Sequence, residues 1–159
     1  AYLYYLHPQW LGTVTTNKGQ LLTPPVPFTK VIEGKPLWRL IFWYPKNCDS
    51  KCLQELDQLA RVRLALGRRL YGVELWLIFA EDSQKEPMAL THFLQEQDIH
   101  VLRLSSSARQ QLTILKDKPR IFIASPDEYL ILAYPVSAKP GDIYHDIRQL
   151  LNTTENKSG

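Results

Sequence analysis

The sequence predicts an α/β protein: a mixed central sheet with helices on both faces, ending in a β-hairpin plus helix. Three observations carry this. The run 37–44 is aromatic and aliphatic, ends at Pro45, and has the length and content of a strand buried on both faces. A second such run at 73–79 and a shorter one at 100–104 are each separated from their predecessor by a helix-period segment. Strands alternating with helices pair in parallel through right-handed crossovers. Finally, 120–124 and 129–134 flank the turn residues Ser125-Pro126-Asp127-Glu128 and read as a hairpin, which adds an antiparallel part.

Each element has a local reason. Residues 12–35 are polar and broken by Pro24-Pro25 and Pro27, so they read as an extended lead-in with one short strand near 20–22. Asp49 or Ser50 caps the first helix, in which Leu53, Leu56, Ala60 and Leu64 recur at three- and four-residue steps; Gly67 closes it. Pro87 suits the first turn of a helix continuing to about Gln97, with Leu90, Phe93 and Leu94 inward. A short helix is expected over 105–115, starting at the serines. Pro140-Gly141-Asp142 introduces the last helix, which buries Ile143, Ile147, Leu150 and Leu151. Residues 152–159 are polar and aperiodic and read as a disordered tail. Within this class, the thioredoxin arrangement ends in a hairpin plus helix and sets a cysteine pair between its first core strand and the next helix. A thioredoxin-like domain is therefore expected over 19–151.

A chain of 159 residues and 18.4 kDa fits one core, or two at most. Apolar residues at 45% and charged residues at 22% exclude wholesale disorder and fibrous repeats. A net charge of +3 without a long basic block is too weak a bias to argue for an anionic membrane surface or for nucleic acid, and no nucleic-acid partner is expected. No stretch approaches the ~18 consecutive apolar residues of a membrane span. The opening Ala1-Tyr2-Leu3-Tyr4-Tyr5-Leu6-His7-Pro8-Gln9-Trp10-Leu11 is aromatic and uncharged. Tyr and Trp gather where a membrane helix leaves the bilayer, so residues 1–18 read as a juxtamembrane lead-in after a removed N-terminal anchor. The alternative is an aromatic arm packed on the domain.

The only cysteines are Cys48 and Cys52, at the carboxyl end of the first buried strand and the amino end of a helix. In open α/β sheets the functional crevice lies beyond the carboxyl ends of the strands. A helix amino terminus offers N–H groups and partial positive charge, which stabilise a thiolate; Lys46 and Lys51 act the same way. Cys48 is thus the expected nucleophile and Cys52 the resolving thiol. The same spacing suits a soft ion such as Cu(I) held by Cys48 and Cys52 with a third ligand from elsewhere. The opposing reading is a static disulfide or two inert thiols, but so small a loop removes little unfolded-state entropy. Pro119, directly before the hairpin, occupies the place of the cis-proline that lies against the cysteine pair in thioredoxin folds and shapes the partner groove.

Other constellations carry less. His7, His92, His100 and His145 read as surface or half-buried imidazoles. Asp117 is a candidate proton acceptor near the pair, and a carboxylate is too hard a ligand for Cu(I). Ser105-Ser106-Ser107 has no identifiable base. Arg61, Arg63, Arg68 and Arg69 form a basic cluster that reads as a solvated face or a dock for an acidic partner.

A buried strand followed by Cys-x-x-x-Cys and a helix resembles the Sco/SenC family, copper chaperones and thiol reductases for cytochrome c oxidase assembly. The chain is more closely similar to Sco-like proteins of proteobacteria associated with oxidase assembly. The similar segments are Asn17-Lys18-Gly19-Gln20-Leu21-Leu22-Thr23-Pro24-Pro25, Lys35-Pro36-Leu37-Trp38-Arg39-Leu40, Cys48-Asp49-Ser50-Lys51-Cys52 and Arg61-Val62-Arg63-Leu64-Ala65-Leu66-Gly67. The resemblance implies one N-terminal anchor and a tethered domain at the periplasmic face of the inner membrane. It also departs from the family. Sco proteins add a histidine just before the hairpin strand, where this chain has Lys116-Asp117-Lys118-Pro119, and Leu53 replaces the proline after the second cysteine.

Three functions are therefore carried forward. The first is an extracytoplasmic thiol–disulfide oxidoreductase acting on a protein thiol, disulfide or metalloprotein client such as an oxidase subunit. The second is a Cu(I) chaperone using the pair. The third is a non-catalytic scaffold with its disulfide closed.

Overall fold

A computed structural model describes residues 18–28, 35–46, 48–80 and 88–158, with side chains as far as residue 153. The elements in chain order are β1 (Gln20–Pro27), β2 (Trp38–Tyr44), α1 (Ser50–Leu64), a 3-10 segment (Gly67–Gly72), β3 (Val73–Ala80) and α2 (Met88–Glu96). They continue with β4 (Ile99–Leu104), α3 (Ser106–Gln111), β5 (Arg120–Ala124), β6 (Tyr129–Pro135) and α4 (Pro140–Ser158). The six strands form one sheet in the order β1-β6-β5-β2-β3-β4. Pairing is parallel for β2–β3 and β3–β4 and antiparallel for β2–β5, β5–β6 and β1–β6. The expected mixed sheet, crossovers, hairpin and closing helix are all present.

Strand alternation divides β2 between two apolar layers. Trp38, Leu40, Phe42 and Tyr44 face the layer that also holds Leu56 and Leu59 of α1, Leu90 and Leu94 of α2, and Ile143 and Ile147 of α4. Ile41 and Trp43 face the other layer, with Leu104, Leu112 and Leu115 around α3. Every residue of β2 is buried, which explains its unbroken apolar run. The exception is Arg39, whose guanidinium is buried because Nε donates to Glu74 at 2.9 Å and Nη2 to the Lys35 carbonyl at 2.8 Å.

The structure differs from the sequence expectations in four places. β1 runs through Pro24, Pro25 and Pro27, well past the short strand near 20–22. It is an edge strand whose register shifts between Leu21 and Val26, so the missing N–H groups fall where few ladder bonds are made. Residues 152–158 continue α4, and Thr153 Oγ1 donates to the Gln149 carbonyl. Extending a formed helix costs no new nucleus, so a polar segment follows its apolar predecessor. α1 ends with Ala65 as cap, and Gly67, at φ +64°, instead opens the 3-10 segment. The helix expected over 105–115 stops at Gln111, with Ser105 accepting from the Ala108 N–H as its cap. Residues 1–17, where the lead-in and His7 were placed, lie outside the described residues.

A buried carboxylate ties residues 18 and 19 to α4 and β6. Asp146 of α4 accepts from the Lys18 N–H at 2.8 Å, the Gly19 N–H at 2.8 Å and the Tyr134 hydroxyl at 2.6 Å. Burial, then the facing carboxylate, pushes the Tyr134 hydroxyl far above the ordinary phenol range. Gly19 packs on the Tyr134 ring so closely that a Cβ there would sit 2.5 Å from it.

Candidate functional site

β2 ends at Tyr44 opposite Phe79 near the end of β3, and Trp43 is opposite Arg120 at the start of β5. The carboxyl ends of the parallel strands and the entry to β5 thus share one edge. Cys48 and Cys52 stand on that edge, as the sequence predicts. They are joined by a disulfide with Cα atoms 5.1 Å apart, within reach of a bridge that leaves the helix intact. Cys52 is fully buried at the root of α1, whereas Cys48 is only half-buried. An approaching group therefore meets Cys48 first.

Asp49 places the pair. Its Oδ1 accepts from the Cys52 N–H at 3.0 Å and its carbonyl accepts from the Leu53 N–H at 3.0 Å, so it is the N-cap of α1. The Tyr44 hydroxyl, from the end of β2, donates to the same Oδ1 at 3.0 Å. The Cys52 N–H bond outweighs an opposing effect of burial and, with the smaller contribution of the Tyr44 bond, holds the Asp49 carboxyl below the ordinary carboxylate range. Burial, then Asp49, raises the Tyr44 hydroxyl. The helix start alone is a source of positive potential for Cys48. In the structure a carboxylate already occupies one of those N–H donors, so the helix terminus and Asp49 act on Cys48 with opposite sign. Capping by Asp49 was readable from its position before the apolar period; the tie to Tyr44 was not.

Pro119 precedes β5 directly and so lies on the same edge, but its peptide bond is trans. Among the described residues the one cis bond is Thr23–Pro24. The expected cis geometry is corrected on this point. The Trp43 Nε1–H bond to the Lys116 carbonyl, at 2.8 Å, already ties the approach to β5 against β2, and trans is the lower-energy isomer when nothing opposes it. Asp117 is engaged by Arg109 of α3.

The remaining candidates are scattered. His92 pairs with Glu96 on α2. His100 stacks on Trp76, centroids 4.8 Å apart, beside Glu74. His145 lies on α4 with Nε2 buried and without a hydrogen bond among the described groups. Arg63 is turned inward, Nε donating to the Val73 carbonyl at 2.6 Å, and Arg61 pairs with Asp57, so the arginine cluster is not one surface. Ser105 is spent as a helix cap. No three His, Cys, Asp or Glu side chains among the described residues converge as a metal site. The described donor set does not fit a three-ligand Cu(I) centre: it offers two sulfurs and no soft third group.

A six-stranded mixed sheet with this order and a cysteine pair after its first parallel strand defines a thioredoxin-like domain. Residues 38–154 match the family described as transmembrane-like, thioredoxin-like, C-terminal domain, and the chain belongs to that family. No curated protein matches it. Among solved structures it is similar to yeast Sco1 with copper bound, at 18% identity and TM-score 0.57 over 76% of this chain and 80% of that one. It is also similar to a thiol:disulfide interchange protein of the thioredoxin family from Chlorobium tepidum TLS, at 13% identity and TM-score 0.54 over 80% and 97%. A third is Bradyrhizobium japonicum ScoI with copper bound, at 14% identity and TM-score 0.53 over 75% and 86%. These likenesses show the fold. No helix among the described residues is long and apolar enough to cross a membrane.

Proposed function

We propose that the domain exchanges disulfides with protein clients outside the cytoplasm. The observation that carries this is the asymmetry of the pair: a half-buried Cys48 bonded to a buried Cys52 on the functional edge of the sheet. In the reducing direction the Cys48 thiolate attacks one sulfur of a client disulfide. A Cys48–client bond forms as the client's own S–S bond breaks, and the departing client thiolate takes up a proton. Cys52, as thiolate, then attacks the Cys48 sulfur, restoring the internal disulfide and releasing the second client thiol. Two electrons pass to the client. The reverse sequence oxidises a client dithiol, and the relative reduction potentials set the direction. Cys52 can stay buried throughout, because its target is the Cys48 sulfur. Pro119, which has no N–H, borders the approach.

An oxidising compartment is where such a pair persists. The transmembrane-like family and the aromatic opening 1–11 support a domain tethered at the periplasmic face of the inner membrane. The similarity to Sco proteins supports clients in cytochrome c oxidase or other metalloprotein assembly. Cys52→Ser in cells tests the reading: mixed disulfides through Cys48 should accumulate, and none should form in Cys48→Ser. Absence of any trapped client in Cys52→Ser removes the exchange reaction and leaves the closed scaffold.

A Cu(I)-holding role is the second reading, supported by two soft sulfurs four residues apart and by the copper-bound Sco likeness. Its third ligand has to come from a partner or from a residue outside the described ones, such as His7. Stoichiometric Cu(I) retention by the reduced domain that Cys48→Ser abolishes supports it, and no retention excludes it.

A further inference from the structure

The segments that flank the cysteine pair carry six cations and three carboxylates, Asp49, Glu55 and Asp117, among the described residues. Lys46 follows β2 and Lys51 lies in the first turn of α1; Lys116, Lys118 and Arg120 line the approach to β5, and Arg109 reaches over from α3. Register brings the approach to β5 against the end of β2, because Trp43 is opposite Arg120 and the Lys116 carbonyl is bonded to the Trp43 indole. Each carboxylate is engaged: Asp49 by the Cys52 N–H and Tyr44, Asp117 by Arg109, and Glu55 by the charge of Lys51 one helical turn before it. Two of the guanidiniums are held in place by ring contacts, Arg109 at 5.2 Å over Trp43 and Arg120 at 5.4 Å over Phe122. The Arg120 bond to the Gln20 side chain, at 3.1 Å, leaves its charge uncompensated by that partner. Lys46, Lys51, Lys116 and Lys118 are exposed to solvent. Glu81, Asp82 and Glu86 belong to the connection after β3, outside the described residues.

We infer that this basic strip beside Cys48 selects client segments whose cysteines sit among acidic residues. The inference rests on the exchange reaction proposed above and names its preferred partner. The physical reason is local. The chain's net charge is only +3, so no strong global field exists. Cations gathered at the end of the sheet that carries the reacting sulfur still raise the local concentration of an anionic chain, over a reach of about 8 Å in physiological salt. Such steering acts mainly on the encounter rate.

Three peptides of equal length test it, each closed by one disulfide and flanked by Glu, Gln or Lys, alongside neutral hydroxyethyl disulfide. The complete domain, reduced beforehand with dithiothreitol and freed of it, is mixed with each, and the second-order exchange rate is followed. The Glu peptide should react roughly tenfold faster than the Lys peptide at low salt, with Gln between them. The ratio should fall toward about 1 near 1 M salt, where screening reaches ~3 Å. In K116E/K118E the Glu-to-Lys ratio should drop below that of the parent chain. Equal peptide rates, or a ratio that neither salt nor K116E/K118E changes, overturns the inference. If hydroxyethyl disulfide still exchanges in that case, the redox reading stands alone. If no disulfide exchanges, both fall.

Discussion

Two tyrosine–aspartate pairs in this domain use the same chemistry to opposite ends. Tyr134 and Asp146 meet at 2.6 Å in the interior, with the Lys18 and Gly19 N–H groups completing the carboxylate's shell. Tyr44 and Asp49 meet at 3.0 Å at the cysteine edge, where Asp49 is exposed and also caps α1. A buried carboxylate with three donors is costly to disturb, because the Tyr134 hydroxyl left behind is buried too. An exposed carboxylate with two donors costs little to remove, yet its charge stands next to Cys48. The interior pair holds the chain entry and β6 together; the edge pair sets the potential felt by the sulfurs.

Removing the interior carboxylate should have the largest effect. Asp146→Ala strands the Tyr134 hydroxyl and two backbone N–H groups and should cost about 3 to 4 kcal/mol, read as a lower midpoint in urea unfolding. The exchange rate per folded molecule should not change. Gly19→Ala should follow at about 1–3 kcal/mol, since the new methyl has to displace the Tyr134 ring. Asp49→Ala should lose roughly 1 kcal/mol as a cap. Asp49→Asn keeps capping capacity while removing the charge. In the reduced domain it should speed iodoacetamide alkylation of Cys48 about fivefold near neutral pH, the size of one charge acting at about 4 Å in water. If Asp49→Asn is as destabilising as Asp146→Ala, or leaves alkylation unchanged, the contrast between the pairs fails.

The smallest effect is on acid stability. The Asp49 carboxyl binds its proton less readily in the folded chain than in the unfolded one. Its contribution is therefore fully present above the ordinary carboxylate pKa and is lost as pH falls through the lowered folded value. Solvent exposure keeps that contribution small. Unfolding curves of the parent chain and Asp49→Asn should converge as pH drops below the carboxylate range.

Much of the fold could be read along the chain because its signals are local. The runs around Phe42 and Leu77 could only be buried strands, and Leu56, Ala60 and Ile147 recur at helical steps. The cysteines announced their place for the same reason: spacing and neighbouring elements put them on the edge of the sheet. What escaped depends on contacts between distant segments. Pro24 and Pro25 read as breakers because nothing local tells of an edge on β6 that tolerates them. Pro119 read as cis by its position, although the isomer answers to packing. Tyr44 looked like one more apolar strand residue, and its hydroxyl bond to Asp49 depends on how the start of α1 meets the end of β2. Residues 152–158 lack apolar period, and their helix is inherited from the turns before them.

The most direct test of the account is the equilibrium reduction potential of the Cys48–Cys52 disulfide in the intact domain. A value less negative than about −300 mV is predicted, in the range of pairs that exchange with clients. A value well below it would mark a bridge that stays closed, and the domain would then bind its partners without reacting with them.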